Sequence, residues 1–287
     1  MALHRETISI AGIRMAVESE LEFRLADRCY YFKDSFDRPD VTFRLVPAEA
    51  FDDRGMDCLR RDEKRGIFRR GEDLFLVRYD RETGGVRWYV RETAQQPELY
   101  QVHIIHRNTL DGVNPMIFVE LSEFMIRYNA MILHSSLISC QGKGLVFTAP
   151  SGTGKSTQAD LWKKYRGAEI LNGDRSVIRR EDGYRCYGSP YAGSSSIYEN
   201  KCTDLTAIVV LRQAKENKLR RIRGKEAYLC LLSEMSLSPV SRETVEKQSQ
   251  WLLELIGAVP VYLLECLPDE GAVDLLYAEW RKNCYGE

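Results

Sequence analysis

Eight residues, Ala149-Pro-Ser-Gly-Thr-Gly-Lys-Ser156, stand between an apolar run, Leu145-Val-Phe-Thr-Ala149, and a helix-forming run, Lys155–Tyr165. A short unbroken apolar run suits a strand buried on both faces. Gly152 and Gly154 open backbone conformations that side chains disfavour. The chain can therefore leave a buried strand, expose consecutive N–H groups in a turn, and enter a helix. The amides of a first helical turn and the partial positive charge at that helix end face an anion favourably. The anion such a turn fits is a phosphate, and the run follows the Walker A pattern with Ala149 in place of its first glycine. On that reading Ser151, Gly152, Thr153, Gly154, Lys155, Ser156 and Thr157 line a nucleotide's phosphates. Lys155 reaches the β- and γ-phosphates and the Ser156 hydroxyl ligates Mg²⁺.

The remainder of the chain bounds this reading. With 287 residues, 44% hydrophobic and 29% charged, it has ordinary globular composition. A formal net charge of -1 argues against broad electrostatic binding to nucleic acid or anionic membrane. No apolar run approaches the ~20 residues that a spanning helix needs. The start, MALHRETISIAG, lacks the apolar core of a secretory signal. The eight cysteines (29, 58, 140, 186, 202, 230, 266 and 284) form no C-x-x-C pair, which is expected of buried reduced thiols in a cytoplasmic protein.

Two regions are expected. Residues 1–112 are β-rich: Asp40–Leu45 alternates, and Leu74–Tyr79 and Val86–Arg91 flank a Gly-Gly turn as a hairpin would. Their role is open. In residues 113–287, Asn114-Pro115 breaks the chain, helical spacing follows over Ile117–Ala130, and strands then mix with helices. That order predicts an α/β (α+β mixed-sheet) domain, with Asp269 as the N-cap of the last helix.

A bound nucleotide also needs a carboxylate near its metal. Asp174 ends Ala168-Glu-Ile-Leu-Asn-Gly-Asp174, only 19 residues after Lys155. One helix, a turn and a strand fill that gap, so the strand is expected beside the one carrying the loop. Asn-Gly-Asp is equally ordinary turn chemistry. His134, in Met131-Ile-Leu-His-Ser-Ser-Leu-Ile138, is expected one hairpin before the loop strand, across the turn Gln141–Gly144. A lone histidine in an apolar strand is more often a satisfied core residue, and spacing alone does not assign it a role.

Taken together, His134-Ser-Ser-Leu-Ile, a Gly turn, the Ser-Gly-Thr-Gly-Lys-Ser run and the close Gly173-Asp174 resemble the C-terminal kinase domain of HPr kinase/phosphorylase. That family is related to ATP-dependent phosphoenolpyruvate carboxykinase, whose loop the Ser-Gly-Thr-Gly-Lys-Ser run resembles most. Tyr187-Gly-Ser-Pro-Tyr-Ala-Gly193 also resembles a loop of uncharacterised HPr-kinase-like proteins and of peptide-serine kinases from lasso-peptide clusters. The resemblance covers residues 117–287. It implies a P-loop domain and an ATP- and Mg²⁺-dependent phosphotransferase that moves the γ-phosphate to a serine hydroxyl. It further implies catalytic roles for Lys155, Asp174 and His134, with Ser156 and Asp174 at the metal. One departure stands out: the family's first aspartate, its usual general base, is Gly173 here. The family's N-terminal regulatory domain is not recognisable in residues 1–110, and neither is the carboxykinase arginine motif anywhere in the chain, so neither parent activity is expected.

Other cations and hydroxyls are weaker candidates. Arg175, Lys201 and Arg212 flank the site strands, whereas the basic run Arg220, Arg221, Arg223 reads as a solvated face. Ser189 and Ser194–Ser196 could shape an acceptor pocket but have ordinary loop composition. Trp251, Tyr277 and Trp280 read as packing. Three functions stay open: a peptide or protein serine kinase, a small-molecule kinase with the same site, and a nucleotide-binding regulatory module without turnover. The acceptor is a peptide, protein or small-molecule hydroxyl, with no nucleic acid or membrane partner, and a homo-oligomer is possible.

Overall fold

A computed structural model describes residues 3–191 and 193–286. Ala192, inside the Tyr187–Gly193 segment, falls outside the described residues, as does the side chain of Ser194. The chain divides into two compact units, Met1–Phe124 with Ser238–Arg242, and Met125–Leu237 with Glu243–Glu287.

The first unit is β-rich. Its strands are β1 (His4–Ile10), β2 (Ile13–Ser19), β3 (Arg24–Leu25), β4 (Val41–Pro47), β5 (Asp57–Arg61), β6 (Arg65–Arg70), β7 (Asp73–Tyr79), β8 (Val86–Glu92), β9 (Leu99–Ile104) and β10 (Asp111–Val113), with a single turn of helix, α1 (Asp27–Tyr30). Eight of these strands form one sheet in the order β1-β2-β4-β9-β8-β7-β6-β5. The β2–β4 and β4–β9 pairs are parallel, and the hairpin β7–β8 is antiparallel as its Gly-Gly turn suggests.

The helix expected over 117–130 is shorter than its apolar spacing implies. Asn114 accepts a hydrogen bond from the Met116 amide and starts a 3-10 turn, Pro115–Ile117. The α-helix proper, α2, spans only Leu121–Arg127. Asn129, at φ 53°, takes the left-handed conformation that asparagine tolerates, which ends the helix before Ala130.

The second unit contains β11 (Ala130–Cys140), β12 (Lys143–Thr148), α3 (Lys155–Arg166), β13 (Glu169–Asn172), β14 (Arg175–Arg180), β15 (Tyr184–Tyr187), β16 (Cys202–Gln213), β17 (Lys218–Ile222), α4 (Gly224–Leu232), α5 (Arg242–Ala258), β18 (Val261–Cys266) and α6 (Glu270–Tyr285). Its mixed sheet runs β12-β11-β14-β15-β16-β18-β17, and β12 also pairs with β16. Strands β11, β14, β15, β16 and β12 therefore close into a ring.

Apolar helix faces cover the sheet on both sides. Trp162 of α3 and Val273, Leu276 and Trp280 of α6 share one core with Phe147 and Val209. Leu231 of α4 and Trp251, Leu252 and Leu255 of α5 share another with Val146 and Ile208. Trp280 donates its indole N–H to Thr206 Oγ1 at 2.9 Å, and Trp251 donates to the Asn129 carbonyl at 3.1 Å, so both tryptophans pack as expected. Asp269 caps α6 by accepting from the Ala272 amide at 3.0 Å.

One expectation is corrected. The strand before Asp174, β13, pairs with β11 and not with the loop strand β12, whose neighbours are β11 and β16. The basic run lies in and just after an edge strand, β17, paired antiparallel with β18, and its Arg220, Arg221 and Arg223 are all exposed, as a solvated face requires. Charged side chains on such an edge discourage pairing with other chains, and they also mask its period.

Candidate functional site

The loop expected from the sequence leaves β12 at Thr148 and enters α3 at Lys155. Gly152 (φ 79°) and Gly154 (φ 120°) both lie where a side chain would be strained, and the space a Cβ would occupy is open at each. Gly154 is the N-cap of α3 and no side chain caps that helix, so the amides of its first turn are not satisfied by a cap. Gln213, at the end of β16, donates from Nε2 to the carbonyls of Gly152 (3.4 Å) and Thr153 (3.3 Å) and pins the loop from below. Ser151, Ser156 and Thr157 are exposed and Thr153 is half-buried.

Lys155 is only 7% exposed. Its Nζ donates to the Ala149 carbonyl at 2.8 Å and to the Pro150 carbonyl at 3.4 Å. Burial lowers the pKa of this ammonium, while the charges of Glu234 and Asp174 act in the opposite direction. The same two carboxylates meet His134.

His134 and Ser135 sit at the junction of three elements. On one side β11 pairs with β14, His134 opposite Arg175. On the other, β12 reaches only as far as Ser135, which faces Thr148. The earlier half of β11 therefore keeps an open edge there, and the residues after α4 fill it. Leu133 bridges Met235, and the His134 amide donates to the Glu234 carbonyl at 3.0 Å. This backbone clip brings the Glu234 side chain over the ring: His134 Nδ1 lies 3.1 Å from Glu234 Oε2. His134 Nε2 lies 3.5 Å from Asp174 Oδ1.

Asp174 is held by the break between β13 and β14. The Ser135 amide donates to the Asp174 carbonyl at 2.8 Å, and Ser136 Oγ donates to the Gly173 carbonyl at 3.3 Å. Asp174, Ser135 and Thr148 thus stand in one row, from the β13–β14 break across β11 to β12, at the foot of the loop. Asn172, fully buried, fixes the turn: its Oδ1 accepts from the amides of Asp174 (3.0 Å) and Arg175 (2.8 Å), and its Nδ2 donates to the carbonyls of Ser189 and Tyr191. Gly193 is pressed against the aspartate; a Cβ there would lie 2.8 Å from Asp174 Cβ and Cγ.

A cavity of about 600 Å³ is lined by the loop residues 149–153, by 210–213 at the end of β16, and by Cys230 and Glu234. Among the described residues no cluster of three or more His, Cys, Asp or Glu forms a ready-made metal cage. Arg212 lines the cavity and pairs with Glu265 at 3.3 Å. Arg175 Nε lies 3.7 Å from Asp174 Oδ2. Lys201 pairs instead with Glu169 and Arg220 with Glu226, away from the loop. Arg221 and Arg223 are exposed. Ser189 supports Asn172. The eight cysteines are free; Cys29, Cys140 and Cys186 are buried, whereas Cys58 and Cys202 are exposed.

Three residues of this arrangement escape sequence reading. Glu234 is 100 residues from His134, and nothing in Leu-Leu-Ser-Glu-Met marks it. Gln213 and Asn172 act through backbone bonds that no spacing announces.

No protein-family model matches the chain, and no curated protein matches it. Among solved structures, the Hpr(Ser) kinase/phosphatase from Coxiella burnetii is similar over 53% of this chain and 97% of its own, with 11% identity and a TM-score of 0.33. No helix of the described residues is long and apolar enough to cross a membrane.

Proposed function

We propose that the protein is a Mg²⁺-dependent kinase that transfers the γ-phosphate of ATP to a hydroxyl, with a serine of a peptide or protein as the favoured acceptor. The observation that carries this reading is His134 between Glu234 and Asp174, beside the loop that holds Lys155.

The loop suits the phosphate chain of the substrate. Two open glycine positions and an uncapped helix start offer amides to phosphate oxygens, and Lys155 would exchange its two carbonyl partners for them. A partly desolvated ammonium gains from such an anion. Asp174, with its side chain partly exposed, and the exposed hydroxyl of Ser156 would hold Mg²⁺, an ion that typically takes one or two carboxylates and fills its shell with water and substrate phosphates. Mg²⁺ would supply positive charge to the transferring phosphoryl oxygens.

Gly173 leaves no carboxylate where the resembled family keeps its general base. His134 takes that place. With its proton on Nδ1 and donated to Glu234 Oε2, the ring presents Nε2 as an acceptor. The acceptor hydroxyl gives its proton to Nε2 as its oxygen bonds to phosphorus, and Glu234 steadies the imidazolium that results. Lys155 opposes the charge that builds on the departing diphosphate.

The test is incubation with Mg²⁺, γ-labelled ATP and a lysate of the source organism, with Lys155→Ala and His134→Ala as controls. Label should appear in a macromolecular, peptide or small-molecule fraction with the unaltered protein only. No transfer to any fraction, together with clear stabilisation by Mg·ATP, would overturn the kinase reading in favour of a nucleotide-binding module without turnover.

A further inference from the structure

The phosphate loop separates two cavities, and only one has a part in the chemistry above. The second, about 380 Å³, lies on the far side of Gly152–Gly154 and reaches the segment that follows β18. Strands β12, β16 and β18 run parallel, with Thr148 opposite Val210 and Gln213 opposite Cys266. Their carboxyl ends therefore share one edge. Crevices outside the carboxyl ends of parallel strands are where α/β sheets take their ligands. The first cavity contains Glu234, which touches His134. A phosphate chain seated on the loop thus has a transfer end on that side and is free to leave toward the second.

The walls of the second cavity suit a flat heteroaromatic group. Leu211, Ala214 and Leu267 provide apolar surface, and Gln158 of α3 provides an amide. Gln158 is 3% exposed. Its Nε2 donates to Cys266 Sγ at 3.4 Å. Its Oε1 is buried without a hydrogen-bond partner among the described residues. A buried acceptor with no donor is unfavourable, and native proteins rarely leave one.

We infer that this second cavity receives the purine base of the nucleotide, and that Gln158 accepts a hydrogen bond from the base's exocyclic amino group. The site then prefers adenine to a base bearing a carbonyl at the same position. This rests on the loop being a nucleotide phosphate site.

Calorimetric titration with three probes, ATP, ITP and inorganic tripolyphosphate, tests the inference on the full chain. ITP differs from ATP by an oxygen in place of that amino group, and tripolyphosphate has no base. The unaltered protein should bind ATP about tenfold more tightly than ITP, the scale of one hydrogen bond. Gln158→Leu should bring the two to equal affinity. Ala214→Phe, at a half-buried position that leaves Gln158 in place, should weaken both nucleotides about tenfold or more by filling the cavity, while tripolyphosphate binds as before. Equal affinity for ATP and ITP in the unaltered protein would overturn the role of Gln158. Tripolyphosphate binding that falls in step with ATP in Ala214→Phe would overturn the location of the base. Failure of the unaltered protein to bind tripolyphosphate at all would instead bring down the phosphate-loop reading, and this inference with it.

Discussion

His134 Nδ1 lies 3.1 Å from Glu234 Oε2, and the same two residues are joined a second time, by a 3.0 Å bond from the His134 amide to the Glu234 carbonyl. The backbone bond fixes where the carboxylate is, and the side-chain contact sets what it does. Glu234→Ala removes the second and spares the first. It should lower kcat about 10²-fold, the lower end of what a positioned proton acceptor contributes, with little change in the stabilisation by Mg·ATP. Steady-state kinetics beside a thermal melt check this. Loss of nucleotide binding in step with activity would mean that Glu234 serves the phosphates and not the histidine.

Lys155 is kept in a place that does not suit its charge in the absence of an anion. Burial lowers its pKa, so the empty protein bears a desolvation cost there. Lys155→Met should raise the melting temperature of the nucleotide-free protein, by the equivalent of ~0.5–2 kcal/mol. It should also abolish the rise in melting temperature expected of the unaltered protein with Mg·ATP. A lower melting temperature would show that the bonds to Ala149 and Pro150 outweigh the desolvation.

Asn172 makes five side-chain hydrogen bonds from a fully buried position. Asn172→Ala leaves the amides of Asp174 and Arg175 without their acceptor and should cost ~1–3 kcal/mol in chemical denaturation. The apparent affinity for Mg²⁺ should weaken as well, because the turn that aims Asp174 is loosened. Stability lost with unchanged Mg²⁺ dependence would confine Asn172 to the fold.

In the first unit, His103 stacks on Tyr89, with ring centroids 4.3 Å apart and planes inclined by 4°. Burial, and then the charge of Arg91, lower its pKa below the ordinary 6.5. The folded state therefore binds this proton less readily than the unfolded chain does. Stability contributed here is complete above about pH 6.5 and falls as pH drops from there through the lowered folded value. Denaturation midpoints at pH 7.5 and 5.0 should differ less in His103→Gln than in the unaltered protein. An unchanged difference would mean that His103 contributes nothing to it.

The legible parts of this chain are those whose signal is local. The strand, loop and helix around Lys155 can be read because buried-strand composition, glycine freedom and helix propensity all act within about twenty residues. The β7–β8 hairpin can be read for the same reason. Asp174 and His134 stand out as candidates, but the row that relates them passes through Ser135, and the order of strands is not a local property. β11 comes between β12 and β13 because the hairpin and the β13–β14 break both pair with it, which spacing along the chain does not reveal. β17 escapes notice because Lys218, Arg220 and Arg221 interrupt any alternation. Glu234 is brought to its place by an open half-edge of β11, a vacancy that exists only once β12 has ended opposite Ser135.

The ring made by β11, β12, β14, β15 and β16 has a consequence for how the chain comes into being. It closes through Lys143 and Asp204, which are far apart in the order of synthesis. Until β16 has left the ribosome, β12 has only β11 beside it, and its other edge presents unpaired backbone N–H and C=O groups next to the glycine loop. During that interval the nascent chain is most open to wrong partners, and a product cut short before Cys202 would remain in that condition permanently.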